Sequence, residues 1–339
     1  MRTRTKAGIV VLAAVLSLLA GAGIGSVSVS PADICRVLAN RLFGSPLPEN
    51  FSSVTPGLVL NIRLPRVTLS FAAGAAAAMG GVVMQSVLKN PLASPYGLGV
   101  SSGAGLGAAL VIVSGLGAGA LGTLALPAVS LAFGLATVGA AIFLSSRLDR
   151  SLSNNTIILT GMVLSLFTNA LMSTVSAANP EYSQRILLWQ LGSFSGRGWE
   201  ASAMVAAVAA VCLVGFLRLS PELDAMTFGE EQARALGVEL RRVKWVLIVL
   251  VAALTGTSVA FAGVIGFVDL IAPHVVRRFF GARHRLVLPM AALLGGAFMT
   301  VCDLAARTLA SPSEIPVGSI TALIGAPFFL YVYFSHRRR

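Results

Sequence analysis

The chain reads as long apolar stretches separated by short clusters of charge. Residues 7–32, 67–88, 90–146, 151–180, 201–217, 245–268, 286–302 and 315–335 carry no charged side chain. A bilayer-crossing helix needs about 20 consecutive apolar residues, and in lipid only a helix or a closed barrel satisfies every backbone polar group. The 90–146 run spans 57 residues, too many for one helix, and predicts two that hinge near Gly115 to Gly122. The pattern predicts an all-α polytopic membrane protein with about ten transmembrane helices.

Charge orients these helices. Arg2, Arg4 and Lys6 precede the first run and place it with its start on the inner side, because basic residues are retained there. Alternating passes then bring 18 of the 25 basic residues inside, including Lys89, Arg147, Arg150, Lys244, Arg277 and Arg337 to Arg339. Arg36, Arg41, Arg63, Arg66, Arg185, Arg197 and Arg307 fall outside. The net charge of +12 therefore reads as a topology signal, and no nucleic-acid partner is expected. Only 11% of residues are charged and 56% are hydrophobic, so lipid must solvate much of the surface. The first run exceeds 20 residues and lacks a clear cleavage site, so it reads as a retained helix and not a signal peptide.

One stretch does not fit simple counting. Lys244 and Arg277 are both expected inside, with 32 residues between them, where two full helices would need about 40. One pass is therefore short or broken, with Gly263, Gly266 and Pro273 as break points. Irregular backbone at membrane depth is tolerated only beside protein or a water-filled cavity, which marks this segment as part of a pathway or gate. Residues 33–58 form the largest outer segment. Ile34, Val37, Leu38 and Leu42 predict a short amphipathic helix there, and Pro46, Pro48 and Pro56 a loop. The abundant glycines read chiefly as sites of close helix approach.

The chain has no GxxxxGK[ST] phosphate loop, no HExxH and no GxSxG motif. His274, His284 and His336 all fall at the expected inner face and read as interface residues. Cys35, Cys212 and Cys302 form no ligand spacing and read as small apolar residues. Neither a catalytic site, a cofactor nor a metal is expected. Asp269, within the broken segment, and Asp303, four residues before Arg307, are the acids placed at depth. Asp303 and Arg307 read as an ion pair on one helix face, while the role of Asp269 stays open. The inner segment 219–244 holds Glu222, Asp224, Glu230, Glu231 and Glu239, and Gly229 and Gly237 bracket a short helical stretch. A folded cytosolic element between spanning helices suits docking onto a partner protein.

Several motifs occur in order: RLPR at Arg63 to Arg66, NPLASPYGLGVSSGAGLGA from Asn90, WQLGSFSGRGW from Trp189, FGEEQARALGV from Phe228, and GVIGFVDLIAPHVVRRFFGARHR from Gly263. DLAAR, EIPVG and LIGAPFF follow. From Arg63 onward the chain resembles the FecCD family, the permeases of iron-siderophore, haem and vitamin B12 importers driven by ATP-binding-cassette ATPases, with the type II importer fold. The resemblance implies one permease domain over 1–339 in the cytoplasmic (inner) membrane. It further implies a homodimer set in membrane lipid, two ATPase subunits beneath it and a solute-binding protein outside.

The same resemblance assigns roles. Phe228, Gly229, Glu230, Glu231, Ala235, Leu236 and Gly237 match the coupling element that enters the ATPase. Arg63, Arg66 and Arg307 match outer arginines that dock the solute-binding protein, in keeping with the bidentate bonds arginine makes to carboxylates. Asn90 and Leu92 match one inner gate. Asn154 and Asn155 fall where the family places another, often with small hydroxyl residues. Gly263 and Gly266 belong to the pathway, and Asp269 stands where glycine is common. Alternating access by an ATP-driven importer is the expected function, with an ion-gradient-driven secondary transporter as the alternative.

Overall fold

The computed structural model describes residues 3–25, 27–48, 51–116, 122–149 and 152–337; of residues 123 and 332–337 only the backbone is described. Arg2, Arg150, Arg338 and Arg339, and the part of the expected hinge at 117–121, lie outside the described residues, as do the side chains of His336 and Arg337. Fifteen α-helices are present among the described residues. They are α1 Thr3–Gly23, α2 Pro31–Phe43, α3 Val54–Gly57, α4 Leu64–Val87, α5 Val100–Ser114, α6 Ala125–Leu148, α7 Asn154–Ala178 and α8 Ser183–Gln190. They continue as α9 Gly198–Arg218, α10 Ser220–Thr227, α11 Glu230–Ala235, α12 Leu240–Ala262, α13 Val268–Phe280, α14 His284–Thr308 and α15 Val317–Arg337.

A π-helical turn at Leu58–Arg63 fuses α3 to α4, giving one helix Val54–Val87 of 34 residues. Seven described helices are long and apolar enough to cross a membrane: α1, the α3–α4 helix, α6, α7, α9, α12 and α14. Three further expected passes fall on α5 and α13, which are shorter at 15 and 13 residues, and on α15, of 21 residues.

Helix α4 is the axis of the bundle. It is buried along almost its whole length, with α9, α12, α13 and α14 packed around it. Its composition explains the position. Ala72, Ala73, Gly74 and Ala75 to Ala78, then Gly80 and Gly81, leave a thin cylinder that neighbours approach closely, which is how helices associate where lipid offers no hydrophobic drive. A methyl group at Gly295 of α14 would lie 2.6 Å from the Gly74 carbonyl oxygen and 2.5 Å from the Ala78 Cβ. Outer helices behave in the opposite way. Ile9 and Leu12 of α1, Leu166 and Phe167 of α7 and Val211 of α9 stand exposed, as apolar side chains do against acyl chains.

The hinge within 90–146 is realised. Helix α5 stops at Ser114, and Gly115 caps it at φ 67° in the left-handed region. Helix α2 forms as expected, with Ser30 accepting from the Asp33 amide at its start. Pro56 departs from the expected loop. It lies inside the first turn of α3, where a missing N–H leaves no bond unmade.

The broken segment forms at residues 263–267, between α12 and α13. Gly263 takes φ 79°, and Phe267 takes φ 71°, a left-handed conformation uncommon outside glycine. The Ser193 amide donates to the Ala262 carbonyl, and the amides of Val317 and Gly318 donate to the carbonyls of Gly192 and Leu191. Protein thus covers the irregular backbone. Pro273 is not a break point. It lies inside α13, and the carbonyl it leaves without a helical donor, that of Asp269, accepts from Gln85 Nε2 at 3.2 Å. Gly81 makes room for this contact, since a methyl there would sit 2.7 Å from the Asp269 carbonyl carbon.

Candidate functional site

Charged and polar side chains gather at the two ends of the bundle. At the inner end, α10 and α11 stand side by side between α9 and α12. Leu223, Met226 and Ala233 turn into the core. Phe228 and Leu236 face away from it, 76% and 71% exposed, in a segment otherwise lined by Glu231, Arg234 and Glu239. Gly229, at φ 134°, starts α11, and Gly237, at φ 84°, ends it. Side-chain-bearing residues rarely adopt either conformation. A groove of about 700 Å³ runs beside α11, lined by Pro221, Ala225, Leu236, Val238, Arg242 and Val246 among others.

Two polar chains lead inward from these helices. The shorter centres on Lys244, in the second turn of α12 and 1% exposed. Its ammonium donates to Glu230 Oε1 of α11 at 2.8 Å, to Asn154 Oδ1 of α7 at 3.0 Å and to the Leu152 carbonyl at 3.1 Å. An ammonium has three protons, so all three are used. The longer chain begins at Asp224 of α10. Its carboxylate lies 2.6 Å from His284 Nδ1 and accepts from the His284 amide at 2.9 Å. His284 Nε2 meets Ser86 Oγ of α4 at 2.7 Å. Arg277 of α13 donates to Ser86 Oγ, to the Val82 carbonyl and to Gln85 Oε1. Gln85 then reaches Asp269, whose carboxylate accepts from Ser94 Oγ. Asp269 is buried in the first turn of α13, so its open role in the sequence becomes a definite contact with the loop after α4.

That loop contains Asn90 and Leu92. Asn90 Oδ1 accepts from the Leu92 amide at 2.9 Å, which folds the loop on itself, and Leu92 is left exposed. Tyr96 Oη donates to the Ile265 carbonyl at 2.8 Å, a second tie to the broken segment. Asn154 and Asn155 open α7 from the same end. Asn154 is held by Lys244 and Asn155 is exposed. Gly263 packs where any side chain would strike the Trp189 carbonyl, whereas Gly266 has open space around its Cα.

At the outer end the three arginines differ from their expected pose. The Arg63 guanidinium is buried and donates to the carbonyls of Ala22, Gly23 and Val27. Arg66 is bracketed by Asp303 of α14 and Glu314 of the α14–α15 connection. Arg307 donates to the Gly21 carbonyl and lies 3.8 Å from Asp303, on the same helix face as expected. Exposed docking heads are thus replaced by an internal brace that ties α1, α4 and α14 together. The reason is the carbonyls released where α1 ends, together with the two carboxylates nearby. Both offer partners that solvent would otherwise supply.

Lys244, His284 and Asp224 were missed as functional candidates. Lys244 reads in the sequence as a topology charge, Asp224 as part of the folded inner element and His284 as an interface residue, and their partners lie 14 to 198 positions away. His284 in particular is buried in a network and not an interface residue.

Known proteins place this architecture. The FecCD transport family model matches residues 10–335. The Fe(3+)-citrate import system permease protein YfmE of Bacillus subtilis is 35% identical, covering 96% of this chain and 93% of its own. The hemin transport system permease protein HmuU of Yersinia pestis is 36% identical, over 83% and 84% of the two chains. A solved structure described as an inward-facing, putative metal-chelate type ABC transporter superposes with TM-score 0.85 at 31% identity, covering 98% of this chain and 99% of its own. An all-helical bundle with a folded inner element but no nucleotide loop of its own is what such a transport component requires. The chain belongs to the FecCD transport family and is an ABC transporter permease, a multi-pass protein of the cytoplasmic membrane and not itself an enzyme.

Proposed function

We propose that this permease imports an iron chelate, haem or corrinoid by alternating access, acting as one permease domain over its whole length. A second copy pairs with it, two ATP-binding-cassette ATPases attach beneath, and a solute-binding protein delivers substrate from outside. The observation that carries this reading is the α10–α11 element. Its inner faces are buried and its outward apolar residues, Phe228 and Leu236, protrude among charges. Large apolar side chains exposed on a polar face mark a protein contact. On the outer side, the solute-binding protein meets the surface that Arg63, Arg66 and Arg307 brace. Asn90, Leu92, Asn154 and Asn155 form the inner gates, and Gly263 and Gly266 line the pathway.

Two of the relatives, YfmE and HmuU, are named for ferric citrate and hemin, which ranks an iron complex first. The test is uptake into proteoliposomes containing the permease, its co-purifying ATPase and its solute-binding protein. Uptake of radioactive ferric citrate or of hemin that requires ATP supports the reading. Uptake by the permease alone, driven by a proton or sodium gradient, would sink it in favour of a secondary transporter.

A further inference from the structure

We propose that Lys244 is a positioning residue of the transport cycle, a buried clamp that fastens the α11 coupling helix to the opening turn of α7. The inference rests on the reading of α10–α11 as the ATPase contact and of Asn154 as an inner gate residue.

The geometry is specific. Lys244 is a cation among helices, 1% exposed, and such a burial is tolerated only when every proton finds an acceptor. Its three acceptors belong to two different elements. Glu230 lies in the first turn of α11, while Asn154 and the Leu152 carbonyl belong to the start of α7. Asn154 sits at the first position of α7, where a side chain need not serve the helix, and offers its oxygen to Lys244 instead. Leu152 is held with φ 51°, a left-handed conformation that costs energy for leucine, and this presents its carbonyl to the same ammonium. Two acceptors from one chain turn and one from α11 therefore converge on a single nitrogen.

Consider then what a displacement of α11 does. Glu230 cannot leave Lys244 without abandoning a charge in a buried site, so α11 and the ammonium move together. Lys244 in turn cannot leave Asn154 and Leu152 without losing two of its three hydrogen bonds. The start of α7 is therefore pulled with α11. No rearrangement of apolar packing between α7 and α11 is needed, because the link is one side chain long.

The test is hydrogen exchange on the assembled complex of permease and ATPase in nanodiscs, with and without a non-hydrolysable ATP analogue. In the wild type, nucleotide alters exchange at residues 230–235 and at residues 152–158. In Lys244→Met the change at 230–235 persists, and that at 152–158 falls by at least about fivefold. Asn154→Ala, which removes one acceptor and disturbs no core packing, lowers the response at 152–158 in the same direction and serves if Lys244→Met does not fold. A full-sized response at 152–158 in both variants overturns the clamp while leaving the coupling reading intact. Nucleotide that alters exchange nowhere in the wild-type permease overturns the coupling reading and the clamp with it.

Discussion

Arg66 of α4 and Asp303 of α14 face each other at the outer end of the bundle, with Nη2 2.9 Å from Oδ1 and Nε 3.1 Å from Oδ2. Asp303 is fully buried, and Glu314 closes the far side of the guanidinium at 2.6 Å. Breaking a buried pair leaves an uncompensated charge, which costs about 3–5 kcal/mol, whereas a partly exposed pair contributes about 0–1 kcal/mol. Asp303→Ala is therefore expected to lower the thermal midpoint in detergent much more than Glu314→Ala. Equal shifts for the two variants would show that the brace is not organised around Asp303.

The contact between Gly74 and Gly295 predicts a steric cost. Val at position 295 forces α14 away from α4, and overpacking of this kind costs about 1–3 kcal/mol. A methyl at Gly139 of α6 would meet no neighbouring element within 4 Å. Gly139→Ala is expected to be neutral or to stabilise by about 0.5–1 kcal/mol, since alanine loses less entropy in a helix. Thermal unfolding of the two variants in the same detergent decides the matter; Gly295→Val matching the wild type would remove the close-packing account.

Phe228 and Leu236 predict a binding effect without a folding effect. Burying one such side chain in a partner contributes about 1.5–3 kcal/mol, so Phe228→Glu or Leu236→Glu should weaken ATPase retention by about tenfold or more. Because both are exposed, the thermal midpoint of the isolated permease should stay within error of the wild type. Unchanged co-purification of the ATPase with both variants would place its contact elsewhere.

Asp269 predicts a loop effect. Its carboxylate accepts from Ser94, and Tyr96 bonds the Ile265 carbonyl two residues later. Asp269→Leu removes the acceptor and should speed exchange of the amides at 93–99 by about tenfold, the equivalent of one hydrogen bond of about 1.4 kcal/mol. Asp269→Asn keeps an oxygen and should behave like the wild type. Unaltered exchange in Asp269→Leu would mean that the loop is held by packing alone.

Much of the architecture was legible because lipid imposes a one-dimensional rule. A segment that spans must be apolar and must close its own backbone bonds, so uncharged runs and basic punctuation located the helices, the break after α12 and the folded element at 219–244. The motif order from Arg63 onward carried the family. Pro273 misled because a proline looks like a breaker wherever it stands, yet a distant Gln85 donates to the carbonyl that the proline leaves without a helical partner.

The Asp303–Arg307 pair, four residues apart on one helix, was legible in the sequence, but the polar partnerships between elements were decided by tertiary structure. Arg63, Arg66 and Arg307 were expected at the surface, and the fold turned them inward, because the carbonyls of Ala22 and Gly23 and the carboxylates of Asp303 and Glu314 were brought within reach. Lys244 looked like one more inner charge until Glu230, Leu152 and Asn154 met around it. Hydrophobic burial follows from local sequence, since each residue carries its own affinity for lipid or water. A hydrogen bond depends on which groups the packed chain sets within about 3 Å of each other, and that distance exists only after folding.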